Sequence, residues 1–168
     1  MAHKPRQATV AVAAPSADAP PRALVLDTNI VLDLLVFADA AVTPLRALLG
    51  ARQLDWVATT AMHDELARVL AYPQIVPRLA FYGLGVGQVL QAYAAQVRWV
   101  EAAPRVAAVC KDADDQKFID LAVARRAILL SKDKAVLCMR KRLLALDTHA
   151  VAAIVFDEFS GALVGVAG

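Results

Sequence analysis

Residues 23–29, Ala23-Leu24-Val25-Leu26-Asp27-Thr28-Asn29, set the frame for the rest of the chain. Four apolar residues ending in an acid have the pattern of a short strand buried on both faces, as in a parallel sheet covered by helices. Ile30, Val31, Leu34 and Leu35 recur at helical spacing, so a helix follows. Thr43, with Pro44 in its first turn, opens a second helix. The pairing of apolar run and helix then returns. Leu54 to Ala58 precede Thr59 and Thr60, which can cap a helix running to Leu70 and stopping before Pro73. A helix over Val89 to Val97 leads to a short strand at Trp99 and Val100. A helix from about Asp115 to Arg126 feeds a third buried run, Ala127 to Leu130, and a basic helix spans roughly Lys134 to Ala145. Val151 to Phe156 reads as the last strand. Apolar strands alternating with helices, without hairpin turn signals, predict an α/β fold, a three-layer α/β/α sandwich on a central, mainly parallel sheet.

The 168 residues suit one domain and one site. Because 36 of them are Ala, the 59% hydrophobic content overstates the core-forming residues. Leu, Val and Ile nevertheless suffice for a core and exclude disorder of the whole chain. No apolar run reaches the roughly 18–20 residues needed to cross a bilayer, so no membrane association is expected and the location reads as cytoplasmic. Cys110 and Cys138 are too few for a disulfide scaffold and lack zinc-site spacing, in keeping with a reducing compartment. A net charge of +2 says little about nucleic acid by itself. In residues 1–22, Lys4 and Arg6 precede an Ala/Val stretch that loosely resembles a secretion signal. That stretch lacks Leu, Ile and Phe and is cut by Pro15, so residues 1–22 read as a flexible Ala/Pro-rich tail, and removal of residues 1–20 is expected to leave the melting temperature unchanged within about a degree or two. The domain is expected over residues 23–159, with 160–168 as a C-terminal tail.

In open parallel sheets ligands bind beyond the carboxyl ends of the strands, where strand order reverses. Asp27 stands at such an end, and Asp133 lies just beyond the third buried run. Each could also be a plain helix N-cap, and Asn29 could cap the first helix instead. Asp64 has Arg68 four residues on and reads as a surface ion pair. Glu65 lies beside the apolar stripe with no basic residue four positions away, so it needs another partner, which a cation would supply. Among Asp112, Asp114 and Asp115, the last shares the inward face of Phe118 and Ile119. Asp120 has Lys117 three residues before it and reads as a surface pair. Asp27, Glu65, Asp115 and Asp133 thus remain, drawn from four elements. Hard oxygen ligands at a sheet crevice suit Mg²⁺ or Mn²⁺, which can activate water for phosphodiester cleavage. No histidine is required. His3 lies in the tail, His149 near a turn, and His63 reads as a surface helix residue.

These residues resemble the PIN domain family, metal-dependent ribonucleases often found as toxins of toxin–antitoxin pairs. Leu24 to Asn29 look like its opening strand and Asp-Thr-Asn signature. Glu65, Leu66, Val69 and Leu70, with Tyr72 and Pro73, are similar to the helix of the second acid. Cys110 to Phe118 look like the acidic run that opens the next helix, and Ser131 to Lys134 like the strand-end motif of the fourth acid. The resemblance covers about Ala23 to Phe159. It implies that Asp27, Glu65, Asp115 and Asp133 hold Mg²⁺ or Mn²⁺, with Asn29 and Ser131 as polar neighbours and Asp112 or Asp114 as competitors for the third position. It further implies an RNA substrate and an antitoxin partner, and a homodimer is plausible for exposed Ala/Leu-rich helices. Lys132, Lys134 and Arg140 gather near the proposed cleft, where they could contact phosphates. Two other readings differ in kind. A receiver-like phosphoacceptor domain would want a second acid where Thr28 and Asn29 stand. A non-catalytic metal-binding or protein-interaction module would use the acids structurally.

Overall fold

The computed structural model describes residues 9–11, 21–156 and 163–166. In chain order their elements are β1 (Thr9–Ala11), β2 (Arg22–Leu26), α1 (Thr28–Leu35), α2 (Thr43–Gly50), β3 (Leu54–Ala58), α3 (Thr60–Leu70), α4 (Val76–Phe81), α5 (Val86–Gln96) and β4 (Arg98–Trp99). They continue with α6 (Gln116–Arg125), β5 (Ile128–Leu130), α7 (Lys134–Leu137), α8 (Arg140–Leu144), β6 (His149–Val151), β7 (Ala153–Phe156) and β8 (Leu163–Val166). Short 3-10 turns stand at Ala40–Val42 and Ala113–Asp115.

The central sheet is wholly parallel, in the order β4-β3-β2-β5-β6. Leu24, Val25, Ile128 and Leu129 are fully buried, as a sheet covered on both faces demands. Helices α1, α3 and α5 pack on one another, whereas α6 lies against β2 and β5 and α8 against β6. Right-handed crossovers running in opposite directions from β2 put these groups on opposite faces, which makes the three layers. Counting the parallel strands as they occur, the order is 3-2-1-4-5, and it reverses at β2. The receiver-like alternative is thereby overturned, because that fold runs 2-1-3-4-5.

Several details depart from the sequence expectation. The basic helix is broken into α7 and α8 between Cys138 and Met139, and the single strand foreseen at 151–156 is two, β6 and β7, separated by a bend at Ala152. That bend sends β7 into a second sheet of order β1-β8-β7, antiparallel throughout. Thr9–Ala11 and Leu163–Val166, read from composition as parts of tails, supply its other strands. The rest of both terminal segments lies outside the described residues.

Register places the site. Leu26 pairs with Leu130, so Asp27 and Ser131, one residue further along each strand, stand side by side at the carboxyl edge. The Asp27 amide still donates to Leu130 O (3.1 Å) and the Ser131 amide to Val151 O (3.0 Å), so both positions are held by the sheet itself. No helix among the described residues is long and apolar enough to cross a membrane.

Candidate active site

Asp27 is 3% exposed and caps α1: its Oδ1 accepts the Ile30 amide at 3.0 Å, and its Oδ2 accepts the Ser131 hydroxyl. Ser131, fully buried, also accepts the Asp133 amide on its Oγ at 3.1 Å. One hydroxyl therefore couples the first and fourth acids. Asp133 caps α7, its Oδ1 accepting the Ala135 amide at 2.9 Å. The cap and site readings are compatible here, because capping engages one carboxylate oxygen of Asp133 and leaves the other available.

Asp112 begins the 3-10 turn Ala113–Asp115, accepting the Asp114 amide at 2.9 Å, and Asp115 leads into α6. Among the described residues, Asp112, Asp115 and Asp133 each present a carboxylate oxygen within 4.8 Å of the others. Asp115 Oδ2 is buried and has no hydrogen-bond partner. Burial, reinforced by Asp133, Asp112 and Asp27, pushes the Asp115 carboxyl up to about 7. Burial also raises Asp27, against the pull of the Ser131 and Ile30 hydrogen bonds. Carboxylates gathered closely enough to add to the proton affinity of the half-buried Asp115 suit a cation. Hard oxygen donors with an orphaned buried oxygen among them fit Mg²⁺ or Mn²⁺.

The structure places the remaining expected residues as follows. Glu65 lies on α3 outside the three-acid group and has a protein partner: its Oε1 accepts Lys117 Nζ at 2.8 Å and its Oε2 the Thr28 hydroxyl. Lys117, whose ammonium also donates to Asp114 O at 2.6 Å, answers the need for a counter-charge that had pointed to a metal. Asp114 thus meets the site through its backbone, with its side chain exposed. Asn29 is exposed, and the capping role falls to Asp27. Lys132 is bonded to the buried Asp33 of α1. Lys134 is exposed and Arg140 half-buried, both following Asp133.

Two ion-pair assignments are corrected, and with one of them a surface assignment. Asp120 is 8% exposed and pairs not with Lys117 but with the Val106 amide (3.0 Å) and Gln116 Nε2 (2.8 Å). Gln116 further donates to Ala108 O (3.0 Å) and accepts the Cys110 amide (2.7 Å) on its Oε1, so the two residues clamp the strand-free segment leading to Asp112 onto α6. Asp64 contacts His63 at 3.5 Å instead of Arg68. His63 in turn stacks edge-on to Trp99, with ring centres 5.7 Å apart. Thr28, Gln116 and Asp33 escaped notice as contributors. Asp33 alone carried a usable signal, an acid set among the apolar positions of α1.

A parallel α/β sandwich with carboxylates converging at its switch point defines a class of proteins with an acid-lined crevice. The sequence model of the PIN domain matches residues 23–135, and the chain belongs to the PIN domain family. No curated protein matches. Among solved structures, the crystal structure of VapBC2 from Rickettsia felis bound to a DNA fragment from their promoter shares the fold. Its TM-score is 0.50 at 12% identity, over 76% of this chain and 96% of that one.

Proposed function

We propose that this chain is a Mg²⁺- or Mn²⁺-dependent endoribonuclease acting as the toxin of a toxin–antitoxin pair. The observation that carries the reading is the convergence of Asp112, Asp115 and Asp133 around an unpartnered buried oxygen, with Asp27 joined to them through Ser131. Asp112, Asp115 and Asp133 would hold the ion, with Asp27 adjoining. When bound, a divalent ion lowers the pKa of water and offsets charge on the scissile phosphate.

The protein residues divide the remaining work. Ser131 fixes the Asp27 carboxylate and the Asp133 backbone in one geometry, so these acids are positioned before any ligand arrives. Lys117 neutralises Glu65 and ties α3 to the acidic turn. Lys134 and Arg140 supply positive charge beyond Asp133 to orient backbone phosphates. Support for an antitoxin comes from the VapBC2 assembly that shares the fold. The exposed apolar residues Tyr72, Val76, Phe81 and Tyr82 offer a protein partner a surface.

The test is incubation of the purified chain with single-stranded RNA and single-stranded DNA in Mg²⁺, Mn²⁺ or EDTA, beside Asp27→Asn and Asp115→Asn. RNA cleavage that needs the ion and disappears in both variants is expected, a loss of at least 100-fold on the scale of ~3 kcal/mol. Cleavage in EDTA, or full activity in either variant, would sink the mechanism. Failure to cut either nucleic acid favours the non-catalytic module.

A further inference from the structure

Cys110 and Cys138 lie 28 positions apart in sequence but meet at one atom. The Cys110 thiol donates to Ala135 O at 3.4 Å and the Cys138 thiol to the same oxygen at 3.2 Å. Both are free thiols, Cys110 buried and Cys138 exposed. Cys110 stands two residues before Asp112, which opens the acidic turn carrying Asp115, and Cys138 ends the short helix that Asp133 begins. We propose that these cysteines are an oxidisable pair that forms an intramolecular disulfide and fastens the acidic turn to α7.

Access and proximity set the order of events. Hydrogen peroxide, the class of oxidant invoked, reaches exposed Cys138 first. The Cys138 sulfur attacks one peroxide oxygen, the O–O bond breaks, and the other oxygen leaves with the thiol proton as water. Cys110 then attacks the sulfur of the resulting sulfenic acid; the S–S bond forms, the S–O bond breaks, and the hydroxyl leaves with the Cys110 proton as a second water. Two thiols are oxidised and one peroxide is reduced. Because both sulfurs already rest on one carbonyl, Cys110 can resolve the intermediate without the oxidant entering the core. A disulfide requires β-carbons within about 4.5 Å, so forming the bond draws Cys110, ahead of the acidic turn, and Cys138, at the end of α7, to that separation.

Dilute full-length protein is treated with hydrogen peroxide, alkylated under denaturing conditions and measured by intact mass and non-reducing peptide mapping. The expected product has lost two hydrogens, takes up no alkylating agent, yields a linked Cys110–Cys138 peptide and reverts with dithiothreitol. Amide hydrogen exchange in residues 111–115 is expected to slow several-fold in the oxidised form. In Cys138→Ser, at an exposed position, Cys110 is expected to remain alkylatable. Over-oxidation of Cys138 or a link between chains while Cys110 stays free would overturn the proposal. So would oxidation of Cys110 in Cys138→Ser, or unchanged exchange after the disulfide has formed.

Discussion

At the scale of single residues, Asp115 concentrates the conflict in this protein. Its carboxyl is pushed up to about 7, against an ordinary value near 4. Over that interval the native state holds a proton that the unfolded chain has already released, so the Asp115 contribution to stability is full at low pH and is lost as pH rises through about 7. In EDTA, thermal unfolding followed from about pH 5 to pH 8 is expected to show a falling midpoint, and Asp115→Asn to flatten that slope. At pH 8 the variant is expected to melt higher than the parent, by about 2–4 °C for each ~1 kcal/mol of relieved repulsion. Added Mn²⁺ is expected to raise the parent's midpoint, and to raise it more at pH 8 than at pH 5, because the ion needs the ionised acids. Lys117 makes the opposite case. Lys117→Met leaves Glu65 without its cation and is expected to cost on the order of 1–2 kcal/mol in a urea titration. That is less than the roughly 3–5 kcal/mol of a fully buried pair, because both groups keep some water contact. Asp27 and Asp133 were legible from position alone, at the ends of apolar runs. Thr28 and Lys117 as partners of Glu65 were not, since 37 and 52 residues separate them from it. Helical spacing reports neighbours on one helix and is silent about contacts between helices.

Elements show the same division between local and distant information. The strands β2, β3 and β5 were legible because burial on both faces leaves unbroken apolar runs, and α3 because its caps and Pro73 bound it. Helix α4, a single short element containing Pro77, was not foreseen between Pro73 and α5. Residues 101–110 have no regular structure beyond bends and are held by the side chains of α6. Asp120 looked like a surface residue because Lys117 stands three positions before it. In fact it faces the Val106 amide, a partner with no side-chain signature in sequence. Asp120→Ala is expected to destabilise by about 2–3 kcal/mol, since two donors lose their acceptor in a part-buried place. Hydrogen exchange of the Val106 and Cys110 amides is expected to accelerate more than that of β2. Uniform acceleration across the sheet would show that the clamp has no local role.

For the whole molecule, net charge conceals an arrangement. The acids meet at the carboxyl edge of β2 and β5, while Lys134, Arg140, Lys141 and Arg142 follow on α7 and α8. If this rim orients RNA, binding weakens with salt, with a log–log slope of about −0.7 per phosphate contact on single strands. The double variant Lys134→Gln/Arg140→Gln is expected to reduce the slope by about one contact or more, with its melting curve unchanged. Fluorescence anisotropy across a salt series checks this, and an unaltered slope would place the RNA elsewhere. The sheet also gives the crevice two unlike walls. Asp27 and Ser131 continue adjacent parallel strands, each held by a backbone bond to the next strand, whereas Asp112 and Asp115 ride on a single 3-10 turn. The crevice therefore has one wall set by the sheet and the other by a short turn. Under the proposed function, a difference in ionic radius between Mg²⁺ and Mn²⁺ would fall on the turn before it reached Asp27, which the sheet holds in place.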